Sequence, residues 1–325
     1  MAATTGASRA SALDPSALMQ IKSLSLRAKS VVEGFLTGLH RSPLRGFSVE
    51  FAEYRPYCEG DDPRTVDWKL LARTDRYYVK QFEDETNRRC YIALDQSRSM
   101  SYSSGEYSKA DYARTLAATF GYFLRMQRDA IGLITTAAQH STYLPPRTSN
   151  SHLQQIFGVL QRESAASESD FAGTLTQLAG LSKRRGIILM ITDGLFNPET
   201  LLKPLGYLRG RSHELIMVRV LDRREVKFEL PESSLLEDLE TGERLFLNPD
   251  DAKRTYQQRF SQHEKELLEV CHQRKVRLLT VVTDQPPSSA LLELVCGVGS
   301  QTVQGSHWAQ DSKTPVGPSS RGGGR

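Results

Sequence analysis

From Ile21 onward, apolar side chains fall at Ile21, Leu24, Ala28, Val31, Phe35 and Leu39. A spacing of three and four puts them on one face, so the pattern predicts one long amphipathic helix ending between Gly38 and Pro43. From Cys90 the texture changes to short apolar runs alternating with helical patterns. Five runs read as strands: Cys90 to Leu94, Ala130 to Thr135, Ile187 to Ile191, Leu215 to Leu221 and Val276 to Val282. The run Ile187-Ile188-Leu189-Met190-Ile191 does not alternate, which is the pattern of a strand buried on both faces in a parallel sheet. Between the strands, Tyr112, Leu116, Phe120 and Phe123 share one helical face, Leu153, Ile156, Phe157 and Leu160 a second, and Tyr256, Phe260, Leu267 and Cys271 a third. This alternation predicts an α/β fold with a doubly wound, mostly parallel sheet. His140 to Leu144 follows the second strand closely and precedes Pro145-Pro146, so it reads as an antiparallel edge strand, where proline is tolerated.

Two stretches depart from this texture. Over residues 225–248, Val226, Phe228 and Leu230 alternate, Glu240-Thr241-Gly242-Glu243 carries a turn glycine, and Leu245 to Leu247 follow, which predicts a small β-hairpin appendage. Between Arg45 and Glu85, Glu59-Gly60-Asp61 marks a turn and Asp62-Pro63 a helix start, with Asp62 as cap and Pro63 where no N–H is needed. The aromatics of this arm predict that it docks on the α/β domain with Tyr57 and Trp68 buried, and its arginines paired with Glu53, Asp61 or Asp62. The expected division is an N-terminal helix and Arg/Tyr-rich arm over residues 1–88, the α/β domain over 89–299, and a disordered tail over 300–325. In that tail Gly322-Gly323-Gly324 lies between Arg321 and Arg325, and no strand pattern precedes it.

Composition narrows the class. Of 325 residues 39% are hydrophobic and 25% charged, enough for a core, and no apolar run approaches the roughly 18 residues of a membrane span. Met1 to Ala12 lacks the basic start and apolar centre of a secretory leader, so a cytoplasmic location is expected. Cys58, Cys90, Cys271 and Cys296 form no Cys-x-x-Cys pair, which argues against a disulfide framework or a zinc site. The net charge is +4 with both signs interleaved, the pattern of a solvated surface. The arm is the exception, with Arg41, Arg45, Arg55, Arg64, Arg73 and Arg76 among Tyr54, Tyr57, Trp68, Tyr77 and Tyr78. Such a mixture can bind nucleic acid or join protein surfaces, and Glu50, Glu53, Glu59, Asp61 and Asp62 in the same stretch favour the protein contact.

The candidate chemistry lies at strand ends. Leu94-Asp95-Gln96-Ser97-Arg98-Ser99-Met100 leaves the C-terminal end of a predicted strand, the side of an open sheet where ligands bind. Asp95, Ser97 and Ser99 alternate along a turn and can point to a common centre. Ile191-Thr192-Asp193-Gly194 brings a second carboxylate, and Gly173-Thr174 opens a helix. Carboxylates and hydroxyls without imidazole or thiolate suit a hard ion, Mg²⁺ first, with Mn²⁺ and Ca²⁺ as alternatives. The same residues also have a plainer use: Asp95 and Ser97 as caps, Thr174 as a helix N-cap, Asp193 in a turn at Gly194. Capping does not require all five at neighbouring ends. The chain has no Gly-x-x-x-x-Gly-Lys-Ser/Thr phosphate loop and no Gly-x-Ser-x-Gly elbow. Its seven histidines form no pair at zinc spacing and read mostly as solvated imidazoles. A Mg²⁺-dependent phosphatase-like enzyme using Asp95 is the catalytic alternative, although Asp95-x-Ser97 lacks a second aspartate two residues on.

Asp95, Ser97 and Ser99, then Gly173-Thr174, then Thr192-Asp193-Gly194 resemble in order and spacing the metal-ion-dependent adhesion site of von Willebrand factor type A domains. The upstream segment is more specific. Arg45-Gly46, Ser48, Glu50-Phe51, Glu53, Arg55-Pro56-Tyr57, Gly60-Asp61-Asp62-Pro63-Arg64, Asp67-Trp68, Ala72-Arg73 and Val79-Lys80 resemble the bacterial domain-of-unknown-function family fifty-eight. With Asp238-Leu239-Glu240-Thr241-Gly242, that resemblance spans roughly Ser30 to Leu294. It implies a von Willebrand factor A-like domain in which Ser97, Ser99 and Thr174 hold the ion, Asp95 and Asp193 act mainly through its waters, and an open position accepts a partner's carboxylate. It also implies association with MoxR-type AAA+ ATPases, chaperones in complex maturation. The expectation is therefore a non-catalytic, cytoplasmic interaction module, with a MoxR-type ATPase and its client as partners and nucleic acid not favoured.

Overall fold

The computed structural model describes residues 14–41, 53–57, 66, 68–74, 76–81, 88–136, 141–162, 170–227, 235–237, 244–246 and 249–296. Helices α1 (Pro15–Met19) and α2 (Leu24–Arg41) precede an arm of β1 (Glu53–Pro56), α3 (Trp68–Thr74) and β2 (Tyr78–Gln81). The chain continues through β3 (Arg89–Leu94), α4 (Lys109–Met126), β4 (Ala130–Thr135), β5 (Thr142–Arg147), α5 (Asn150–Leu160) and α6 (Phe171–Leu181). Then come β6 (Ile187–Thr192), α7 (Leu202–Gly210), β7 (Glu214–Leu221) and α8 (Arg223–Lys227). A hairpin of β8 (Leu235–Glu237) and β9 (Arg244–Phe246) leads to α9 (Pro249–Gln273), β10 (Val276–Val282) and α10 (Pro287–Cys296).

All five expected strands are present and, with β5, make a six-stranded sheet in the order β10-β7-β6-β3-β4-β5. Every pair is parallel except β4 with β5. The missing alternation has the anticipated cause. Along β3, Cys90, Ile92 and Leu94 face one apolar layer while Tyr91 and Ala93 face the other. The first layer includes Val32 of α2, Leu116 of α4, Ile156 of α5 and Leu291 of α10; the second includes Leu175 of α6, Leu205 of α7 and Leu267 of α9. Helices thus cover both faces, and the fold is doubly wound α/β. Buried Cys90 and Cys271 are free thiols, and burial pushes Cys271 up to about 12.

Several expectations need correction. The opening helix is two, with Ile21 in the link. Asp14 caps α1 and Pro15 occupies its first turn, while Arg27 of α2 reaches back and donates to the carbonyls of Met19 and Ile21 at 3.1 and 2.8 Å. The edge strand runs through Pro145-Pro146 rather than stopping before them, and residues 137–140 lie outside the described residues. The appendage begins later than Glu225. Asp222 accepts the Arg224 N–H at 2.8 Å and its own N–H donates to Glu225 at 2.8 Å, a reciprocal cap that starts α8 where a strand was expected. Among the described residues β8 and β9 form the hairpin, with Leu235 opposite Phe246; residues 228–234 and the turn at 238–243 lie outside the described residues.

In the arm, β1 pairs antiparallel with β2, and Tyr57 is half-buried with its ring 6.2 Å from Tyr77. Trp68 is 61% exposed, so it does not anchor the arm as expected: at the start of a short helix its indole faces solvent. The helix start at Asp62-Pro63, the pairings of Glu53, Asp61 and Asp62, and the tail from 300 fall outside the described residues or side chains. Among the described residues, two of the histidines that read as solvated are buried instead. His152 and His213 are buried, each with Nε2 facing a carbonyl, of Ile131 at 2.9 Å and Ser182 at 3.2 Å.

Phe35 of α2 is buried edge-on against Phe123 at 5.8 Å between centroids. Phe35→Ala is therefore expected to cost about 3–5 kcal/mol and Trp68→Ala less than about 0.5 kcal/mol, measured by urea unfolding. Asp129, buried ahead of β4, offers a pH test. Burial raises its carboxyl to about 6, although its Oδ1 accepts the Arg88 N–H at 3.0 Å. The folded chain holds this proton to higher pH than the unfolded chain, so stability falls as pH rises from about 4 to about 6. Asp129→Asn should flatten that fall, as read by unfolding midpoints on either side of the window.

Candidate metal centre

Strands β3 and β6 pair with Leu94 opposite Ile191, and β3 and β4 with Leu94 opposite Thr135, so three chains leave the sheet side by side. Asp95 stands in the middle. Its N–H donates to Ile191 O at 2.9 Å. Its Oδ2 accepts the Thr192 hydroxyl at 2.7 Å, and Oδ1 accepts the Ser97 N–H at 3.0 Å and the Thr136 hydroxyl at 3.3 Å. One carboxylate is thus held by three adjacent strand ends. A 3₁₀ turn over Arg98–Ser101 follows, with Ser97 at its start and Met100 buried beneath it. The turn brings the Ser97 and Ser99 hydroxyls to 2.9 Å from each other, while Arg98 is exposed.

Asp193 is 1% exposed. Gly194 follows at φ +70°, the left-handed region that favours glycine, and lets the loop turn so that Asp193 Oδ1 accepts the Leu195 N–H at 3.1 Å. Its Oδ2 accepts from the Lys109 ammonium at 2.9 Å. Lys109 is the first residue of α4 and wholly buried, and its Nζ also lies 2.6 Å from Glu225 Oε1. Burial by itself would lower the pKa of this ammonium, but Asp193 and Glu225 more than reverse that and hold it above its ordinary value. Burial also raises the Glu225 carboxyl, against the pull of Lys109. Behind them Arg219 of β7 is buried, with its guanidinium 5.0 Å from the Phe260 ring and 3.8 Å from Glu264.

Thr174 lies one turn into α6. Asp170, not Thr174, is the cap: it accepts the Gly173 N–H at 2.7 Å, and a Cβ on Gly173 would stand 2.0 Å from Asp170 Oδ2. Glycine at 173 is what lets that carboxylate seat. The Thr174 hydroxyl donates to Asp170 O at 2.9 Å, which leaves its oxygen as an acceptor. Phe171 stacks on Phe196 at 5.8 Å, so the start of α6 sits beside the loop that follows β6.

Of the five residues selected from sequence, Asp95, Ser97 and Ser99 share one turn, Asp193 adjoins it through Thr192, and Thr174 stands on the neighbouring helix start. Two carboxylates and three hydroxyls are a hard-donor set, which fits Mg²⁺ or Mn²⁺. Among the described residues no three His, Cys, Asp or Glu side chains group at metal distance, so such an ion would rest on hydroxyls and water as much as on carboxylates. Sequence reasoning missed Lys109, Glu225, Thr136 and Arg219. Lys109 left one signal: a cation opening a helix opposes the helix dipole. Arg219 left another, as a charge inside the apolar run from Leu215 to Leu221.

The Thr192 hydroxyl both donates to Asp95 and accepts the Gly194 N–H at 3.0 Å. Thr192→Val is expected to destabilise the fold by about 1–3 kcal/mol in urea unfolding, and Thr192→Ser to recover most of that loss.

Among curated proteins, the chain is 29% identical over 234 residues to the uncharacterized protein Rv1480 of Mycobacterium tuberculosis, covering 70% of this chain and 73% of that one. Among solved structures it is similar to BatB from Bacteroides thetaiotaomicron, with 14% identity, 65% of this chain and 98% of that one covered, and a TM-score of 0.39. It is also similar to the SpRpn10 VWA domain, at 11% identity, with 63% and 94% covered and a TM-score of 0.38. The family model described as "Protein of unknown function DUF58" matches residues 53–266, well over half of the chain, and the chain belongs to that family.

Proposed function

We propose that this chain is a non-catalytic protein-interaction module that grips an acidic group of a protein partner at Asp95, Ser97, Ser99, Thr174 and Asp193, by way of a divalent ion, Mg²⁺ first. The observation that carries this reading is the set of polar groups at the ends of β3, β4 and β6, centred on an immobilised Asp95 with the paired hydroxyls of Ser97 and Ser99 beside it. Ser97, Ser99 and Thr174 would hold the ion, and Asp95 and Asp193 would act mainly through its waters. When bound, the ion supplies a positive charge and an open position for a carboxylate. Thr136 and Thr192 fix the Asp95 carboxylate, so the site is oriented before a partner arrives.

Both Asp95 oxygens accept hydrogen bonds from the protein itself, which favours this role over that of a phosphatase nucleophile. The resemblance of the Arg45 to Lys80 segment supports a MoxR-type AAA+ ATPase and its client as partners, in complex assembly or maturation in the cytoplasm. Among the described residues no helix is long and apolar enough to cross a membrane. A pull-down from the native cell tests the reading. The wild-type chain should capture the ATPase in Mg²⁺ and lose it in chelator, and Asp95→Asn should fold but capture nothing. Capture that ignores both the chelator and the substitution would overturn it.

A further inference from the structure

We infer that Lys109 is a built-in counter-cation that sets how tightly this sheet edge holds a divalent ion, with Glu225 as its counterweight. The inference rests on the metal reading above and concerns how strongly that site is charged. The Lys109 ammonium lies 2.9 Å from Asp193 Oδ2 and is wholly shielded from solvent, so a carboxylate oxygen that would face the ion's waters is committed to a fixed positive charge. An ammonium and a divalent ion sharing one carboxylate repel each other, and burial weakens the screening between them. Glu225 pulls the other way. It lies 2.6 Å from Nζ, and the Asp222 N–H at 2.8 Å fixes its second oxygen. Asp193 therefore keeps part of its field only because the lysine is shared.

Folding alone does not account for this lysine. A cation in the first turn of α4 opposes the helix dipole, and its burial carries a desolvation cost that an apolar side chain of like shape would avoid. The cap of α4 is supplied independently by Ser108 and Asp111. The ammonium also lies 5.9 Å over the Tyr102 ring, so it is held against the loop that continues from the Ser97–Ser99 turn.

The test is Mn²⁺ titration of the full chain by calorimetry, together with thermal unfolding in Mn²⁺ and in chelator. Lys109→Met should bind Mn²⁺ about tenfold or more tightly than wild type, and Glu225→Gln about threefold or more weakly, because the two changes move the local charge in opposite directions. Lys109→Met should also unfold at lower temperature in chelator and gain more than wild type from Mn²⁺. A purely structural role would lower its midpoint equally in both conditions, and that result would overturn the inference. Equal Mn²⁺ affinity in all three proteins, lost on Asp95→Asn, would sink the role of Lys109 and leave the metal site standing. Absence of Mn²⁺ binding in every protein would sink both. Should Lys109→Met fail to fold, Glu225→Gln decides: weaker binding supports the inference, and unchanged binding overturns it.

Discussion

The structure depends on burial of both faces of its central strands. β3 has a neighbour on either side and apolar layers above and below, so beyond Arg89 no position along it can carry a polar side chain to water. Register follows from the same burial: a one-residue slip would exchange Tyr91 and Ala93 with Cys90 and Ile92 between layers of different shape. With Leu94 fixed opposite both Ile191 and Thr135, the next residues out are Asp95, Thr192 and Thr136. Their mutual hydrogen bonds are a consequence of sheet register, and the polar chemistry gathers at the C-terminal edge because the core excludes it elsewhere.

Around that edge the chain buries charged side chains. Lys109, Asp193 and Arg219 are almost wholly shielded, and Glu225 is nearly so. Each such ion costs several kcal/mol to remove from water, and pairing returns that only where geometry and further hydrogen bonds are good. Here they are good for Lys109, whose two carboxylates are each tied to a backbone N–H. They are poorer for Arg219, whose two Nη atoms lack hydrogen-bond partners and lean on Glu264 and the Phe260 ring. Two apolar layers already account for the sheet, and the buried charges gather at its C-terminal edge.

The strands were legible because buried parallel strands write continuous apolar runs, and their ends were displaced by a residue at most. What failed was local competition: Asp222 and Glu225 cap a helix in a stretch whose alternation reads as strand, and Asp14 with Pro15 starts a helix that the longer period conceals. Aromatic density in the arm predicted docking, but density carries no information about which side of α3 faces solvent, and Trp68 is exposed. At the edge, Asp95, Ser97 and Ser99 were readable because they lie within five residues. Lys109 was not, since its partners Asp193 and Glu225 lie 84 and 116 residues away and only the fold brings them together.

The long helix α9 fixes the Asp193 loop. His263 Nε2 lies 2.7 Å from Gly194 O, Tyr256 donates its hydroxyl to Glu225 O at 3.0 Å, and Glu264 and Phe260 flank the guanidinium of Arg219. Arg219 in turn donates through Nε to Asp193 O at 3.4 Å. Successive turns of a single helix thus reach the backbone on both sides of Lys109 as well as the strand behind it. A loop held in this way gives up little conformational freedom when something binds at its tip, and that lowers the cost of recognition without adding a contact. Leu267, Val270 and Cys271 of the same helix belong to the apolar layer, Leu267 being wholly buried, so the force that packs the sheet is also the force that positions Asp193.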